Sequence, residues 1–153
     1  MPEPHLADEA IRSVVVRETG HGKFQQEVIW GPHSLIADEP TGAGGLDSGL
    51  GPYELLLASL GACTAMTLRL YADRKQLPLR RAQVRLRHSR VYAQDCAECD
   101  TKSVMIDRLE RVITLEGDLS DEQRSRLMEI ADKCPVHRTL TSKIEIKTSE
   151  ERR

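Results

Sequence analysis

"LLLASLGACTAMTLRL", Leu55 to Leu70, is the most apolar stretch of the chain, and one cysteine, Cys63, lies inside it. Pro52, three residues ahead, suits the first position of a helix, where a missing N–H costs no intrahelical bond. The pattern runs on through Lys75 and stops before Pro78, because the residue ahead of a proline is pushed out of helical geometry. At about 100° per residue, Leu56, Leu60, Cys63, Thr67 and Leu70 share one stripe. Leu55, Ala58, Ala62, Ala65 and Met66 spread over the other faces. A helix that is apolar nearly all round is buried on several sides. A chain of 153 residues has little material to wrap one. A curved sheet or a second copy of the chain is expected to cover it, which favours a homodimer.

The segments on either side are expected to supply the sheet. "IRSVVVRET" (11–19) is β-branched and reads as a strand. "GHG" (20–22) turns the chain into "KFQQEVIW" (23–30), and "HSLIAD" (33–38) follows as a third strand. The glycine-rich "EPTGAGGLDSGLG" (39–51) is a loop. Beyond the helix, "LRRAQVRLRHSRVYA" (79–93) sets Val84 and Leu86 against Arg85 and Arg87, the alternation of a strand with one wet face. "QDCAECDTK" (94–102) is a polar loop, and "SVMIDRLERVITLEGD" (103–118) is a strand whose mixed charges fit an edge or an exposed face. "SDEQRSRLMEIADK" (120–133) is a helix opened by a Ser120/Gln123 capping box. Leu127, Ile130 and Cys134 lie on its apolar face, and Pro135 stops it. "TLTSKIEIKT" (139–148) closes as a strand. The expected fold is α+β, a mostly antiparallel sheet around a long central helix. It forms one domain over residues 11–150, preceded by a loose tail, 1–10.

Composition removes several functions. Twenty-two Lys and Arg against 24 Asp and Glu leave a net charge of −2, without the basic excess of a nucleic-acid binder. Five aromatic residues are too few for a base-stacking platform. "MPEPHLADEA" (1–10) lacks the apolar run of a signal peptide. The apolar run from Leu55 falls short of the ~20 residues of a membrane span and is closed by Arg69 and Arg74. A soluble cytoplasmic protein is expected, with no membrane and no nucleic-acid partner. Its four cysteines are then reduced, metal-bound or catalytic.

Each cysteine has a plain reading and a chemical one. Free cysteine is among the most buried residue types, so Cys63 on position alone reads as packing. A mid-helix thiol also lacks the N-terminal dipole that lowers its pKa, so a reactive Cys63 needs a cation from elsewhere in the fold. Cys134, in "DKCPVHRTL", ends a helix, where the dipole opposes a thiolate. It is a poor attacker and better suited to arrive second and close a disulfide. His137 and Arg138 read alone as solvated or strand-start residues. Cys96 and Cys99 form a single C-x-x-C, whereas a zinc ribbon needs a second ligand pair. His88 or His33 could complete a site only through tertiary folding. Asp95, Glu98 and Asp100 disfavour thiolates there.

Two separated motifs together resemble the OsmC/Ohr family. "GPYELLLASLGAC" (51–63) is similar to the family segment in which a proline opens a long helix and a cysteine follows about three turns later. "DKCPVHRTL" (132–140) is similar to its Cys-Pro-Val motif. The order of elements agrees over residues 11–148. The resemblance implies an intertwined homodimer with sites at the interface, no cofactor and no metal. It also implies an organic hydroperoxide reductase in which Cys63 attacks the peroxide and becomes a sulfenic acid. Cys134 condenses with it to a Cys63–Cys134 disulfide, and a lipoyl-type dithiol reductant reopens the bridge. The family's activating acid commonly follows the helix-opening proline. Here Tyr53 stands there and Glu54 comes next, making Glu54 the candidate acid. Arg17 is the candidate activating arginine, with Arg12 as the alternative.

Two other readings stand beside this one. The first is a metal- or small-ligand-binding protein using the Cys96/Cys99 loop, and the second is a structural dimer with inert thiols.

Overall fold

β-branched residues and a glycine turn build the first part of the chain. In the computed structural model, which describes residues 13–92 and 104–152, Val15–Glu18 (β1), Gln26–Trp30 (β2) and His33–Ala37 (β3) form an antiparallel sheet in the order β1-β2-β3. Trp30 pairs with His33, so only Gly31 and Pro32 make the turn, and Gly31 takes a φ of 55° that favours glycine. All three expected strands are present, with tighter ends. The chain divides into two compact units, Met1–Leu56 and Leu57–Arg153, and this sheet belongs to the first.

The glycine-rich loop that follows β3 is tied by one buried carboxylate. Asp38 accepts hydrogen bonds from the Glu39 N–H at 2.8 Å, the Leu46 N–H at 3.1 Å, the Ser48 N–H at 3.3 Å and the Ser48 hydroxyl at 2.6 Å. The Ser48 hydroxyl bond, with the backbone donors, outweighs burial and holds this carboxyl below the usual range. The Asp38 N–H in turn reaches the Leu50 carbonyl at 3.1 Å, just before the helix begins.

The central helix, α1, runs from Pro52 to Arg74 with proline at its first position, as its sequence predicts. Its 23 residues are long and apolar enough, by length and composition alone, to cross a membrane, so the expectation that the stretch is too short does not hold. The expectation of burial on several sides is also corrected. The buried residues are Leu60, Gly61, Thr64, Leu68 and Ala72, while Leu70 and Met66 stay 53 % and 71 % exposed. In this chain the helix is covered along one face, not all round.

That face meets a long strand pair in the second unit. Leu79–Tyr92 (β4) and Met105–Gly117 (β5) pair antiparallel, with a bulge at Arg80. Val84 and Leu86 face inward and Arg85 and Arg87 outward, as the alternation predicts. Gly61 is explained by Leu86, whose Cδ1 would lie 2.7 Å from a Cβ at that position. Glycine in a helix interior costs about 1 kcal/mol relative to alanine, and here it admits the strand pair to close range. Arg81–Glu116 and Arg87–Glu110 ion pairs line the wet face; exposed pairs of this kind add little stability.

Asp121–Ala131 (α2) opens with the expected capping box. The Ser120 hydroxyl accepts from the Gln123 N–H at 3.1 Å, and the Gln123 side chain accepts from the Ser120 N–H at 2.9 Å. Leu127, Ile130 and Ala131 join Leu68, Ala72, Leu79 and Leu119 in the core of this unit. The expected closing strand over 139–148 is not formed. Pro135–Leu140 is instead a short helix, α3, with Pro135 in its first turn, and 143–152 has no regular structure. The Ile144/Ile146 alternation is real, but both side chains are exposed and no described strand pairs with them; a strand needs a neighbour to be stable.

Two substitutions test these ties. A Cβ on Gly117, whose φ is 144°, would sit 2.0 Å from the Pro78 carbonyl oxygen. Gly117→Ala is expected to cost about 3 kcal/mol, read as a lowered urea midpoint; an unchanged midpoint contradicts this close approach. Asp38 has a depressed folded pKa. Its contribution is therefore complete above the unfolded value near 4 and lost as pH falls through the lower folded value. Asp38→Asn places an amide donor against N–H groups, so the Leu46 and Ser48 amides should exchange faster at neutral pH, by hydrogen-exchange NMR.

Candidate functional site

Residues 63 and 64 are neighbours in α1, and the helix turn sends them to different surroundings. Thr64 points into the core and is fully buried. Cys63 is half-buried and lines an open groove of about 410 Å³, together with Ser59, Met66, Leu70 and Pro135. The groove is mainly apolar. A larger hollow of about 540 Å³, over Arg85, Arg87, Glu110 and Val112, is lined by no cysteine.

Cys134 is fully buried and lies within hydrogen-bonding reach of the Cys63 thiol. The fold thus brings together the two cysteines singled out in the sequence, 71 positions apart by their numbers. Cys134 follows α2, but it is also the residue that caps α3. Its sulfur accepts the His137 N–H at 3.2 Å. Thr64 Oγ1 lies 3.9 Å from the same sulfur. Burial pushes the Cys134 thiol up. The His137 N–H, Cys63, Thr64 and the charge of Arg111 together more than offset it, so the net shift is downward. The expectation that a helix end works against a thiolate here is overturned, because the chain turns at once into a second helix.

The cation in this site is Arg111, on β5. Its side chain is only 11 % exposed, and both terminal nitrogens are fully engaged. Nη1 donates to Thr64 Oγ1 at 3.0 Å and to the Ala131 carbonyl at 3.3 Å. Nη2 donates to Asp132 Oδ1 at 2.8 Å and to His137 Nδ1 at 3.1 Å. A guanidinium has only donors, so His137 Nδ1 is the acceptor in this contact. Sequence reading missed Arg111, although a signal was there. Leu109, Arg111, Ile113 and Leu115 alternate along one face of β5, and Arg111 is the charge among the aliphatics.

The remaining candidates have partners of their own or fall outside the described residues. Arg17 belongs to the first unit, where it pairs with Glu27 at 2.9 Å across β1 and β2. Glu54 lies exposed in the first turn of α1, its carboxylate against Gly51. Arg12, Cys96 and Cys99 are outside the described residues. His88 pairs with Asp107 at 2.8 Å, and His33 stacks on Trp30. Among the described residues, no group of three or more His, Cys, Asp or Glu could hold a metal ion.

The lowered thiol gives a direct test. In Cys63→Ser protein, the ultraviolet thiolate absorbance of Cys134 should titrate below the ~8.5 of an ordinary cysteine. Adding Thr64→Val should move the titration upward. A midpoint at or above the ordinary value contradicts the hydrogen-bond assignment.

Known proteins share this fold. The profile of the family described as "OsmC-like protein" matches residues 45–149. No curated protein sequence matches the chain. Solved structures do. An OsmC-like protein from Mycoplasma pneumoniae is 21 % identical, with a TM-score of 0.63 over 84 % of each chain. An organic hydroperoxide resistance protein OsmC from Legionella pneumophila is 17 % identical, with a TM-score of 0.60 over 86 % of this chain and 90 % of that one. The organic hydroperoxide resistance protein OhrB of Bacillus subtilis is 17 % identical, with a TM-score of 0.58 over 88 % of this chain and 93 % of that one. At such identities the likeness is one of fold.

Proposed function

The chain belongs to the OsmC-like protein family, and from that premise we propose that it is a thiol-dependent peroxidase that reduces organic hydroperoxides to alcohols. One observation carries the reading. A groove-lining thiol, Cys63, meets a buried thiol, Cys134, whose pKa is lowered. Relatives of the same fold named as organic hydroperoxide resistance proteins support it.

Access divides the roles. Cys63 opens onto the groove, so the peroxide meets Cys63 and not Cys134. The Cys63 sulfur attacks one peroxide oxygen, the O–O bond breaks, and the alcohol leaves with a proton. Cys63 is then a sulfenic acid. The Cys134 sulfur attacks it and expels water, which leaves a Cys63–Cys134 disulfide. One hydroperoxide has taken two electrons from two thiols. A dithiol of lipoyl type restores them by exchange. The apolar groove wall of Met66 and Leu70 suits an alkyl or fatty chain.

By the family motif, Arg17 and Glu54 are the residues proposed to activate Cys63. The protein is proposed to act in the cytoplasm as a homodimer. The exposure of Met66 and Leu70 supports a second copy covering part of α1.

The test is consumption of cumene hydroperoxide with a dithiol as reductant. Cys63→Ser should lose turnover by a factor of about 10³ or more, as expected for removal of a nucleophile. Cys134→Ser should still react once and then stall. Equal rates for wild type and Cys63→Ser would sink the proposal.

A further inference from the structure

The disulfide of such a cycle has two sulfurs, and a reductant has to choose one. This inference rests on the peroxidase reading for its setting, but its geometry is independent of the oxidant. Cys63 lines the open groove, whereas Cys134 is fully buried behind it. The surroundings of the two sulfurs differ in the same sense. Around Cys134 lie the His137 N–H at 3.2 Å and the Thr64 hydroxyl at 3.9 Å. Thr64 has one proton and two acceptors for it, the Leu60 carbonyl at 2.7 Å and the Cys134 sulfur. Arg111 donates to Thr64 Oγ1 at 3.0 Å, which fills an acceptor position on that oxygen and leaves its proton free to turn. The same guanidinium binds the Ala131 carbonyl, Asp132 and His137, the backbone turn that carries Cys134.

We propose that Arg111 is a positioning residue that holds Thr64 and His137 around the Cys134 sulfur, so that a dithiol entering by the groove attacks Cys63 and Cys134 is the thiolate expelled. The step balances. A thiolate of the dithiol bonds to the Cys63 sulfur, the Cys63–Cys134 bond breaks, and its electron pair stays on Cys134. The Thr64 proton and the His137 N–H face that new charge. The second thiol of the reductant then displaces Cys63 from the mixed disulfide. The dithiol leaves as its own disulfide, two electrons poorer, and its two protons end on the protein thiols. Exchange is faster when the charge left on the departing sulfur is stabilised, and the donors around Cys134 act in that sense.

The experiment starts from protein oxidised with diamide, so that it does not depend on peroxide chemistry. Glutathione, a monothiol, is added, the mixture is quenched with iodoacetamide, and each cysteine is mapped by mass spectrometry. The expected product carries glutathione on Cys63 and carbamidomethyl on Cys134. Glutathione on Cys134, an equal division, or failure of the two cysteines to cross-link overturns the proposal. Opening by dithiothreitol should slow about tenfold in Arg111→Met, the effect of losing one charge-assisted hydrogen-bond network, and recover in part in Arg111→Lys. Opening of Arg111→Met at the wild-type rate overturns the role of Arg111. If the diamide disulfide opens as described but hydroperoxide leaves both thiols untouched, this proposal stands and the peroxidase reading falls. The reverse result removes this proposal alone.

Discussion

The second unit is organised around one buried guanidinium. Arg111 leaves β5 on the face that packs against α1 and spends its terminal nitrogens on four acceptors from three other segments. A charge taken out of water is costly unless it is paired and hydrogen-bonded. That cost fixes the geometry. Thr64 must present its oxygen, the end of α2 must present the Ala131 carbonyl, and His137 must turn its unprotonated nitrogen inward. With those three in place, the Cys134 sulfur lies between the Thr64 hydroxyl and the His137 N–H. The cysteine pair is therefore a consequence of where the arginine can be satisfied, as well as of the helices that carry it.

Hydrogen-bond donors and solvent access fall on different thiols. Cys134 has the donors and the nearby positive charge, but no solvent reaches it. Cys63 has the groove. An open sulfur oxidised to the sulfenic acid is exposed to further oxidation unless a second thiol captures it first. A buried thiol beside Cys63 keeps the accessible sulfur guarded by its neighbour.

Much of this fold is legible in the sequence. Pro52 and the apolar run give α1, the Ser120/Gln123 box gives the start of α2, and the β-branched alternations give five strands. What misleads is locality. Pro135 reads as a stop to the helix before it, yet in the fold it serves as the first residue of the helix after it. The Ile144/Ile146 alternation reads as a strand, but a strand is decided by its neighbour and not by its own pattern. The cysteines stand out because the motifs around them are specific. Arg111 does not, because a charged residue in a strand is ordinarily assigned to the wet face. Only its alternation with Leu109, Ile113 and Leu115 along one face marks it as inward.

The most direct measurement is the product left by one equivalent of cumene hydroperoxide on the fully reduced protein, by peptide mapping without a reductant. The expected result is the loss of two thiols per peroxide and a cross-linked peptide joining Cys63 to Cys134. Recovery of both thiols, or a Cys63 oxidised to the sulfinic acid beside an unmodified Cys134, would contradict a paired-thiol site.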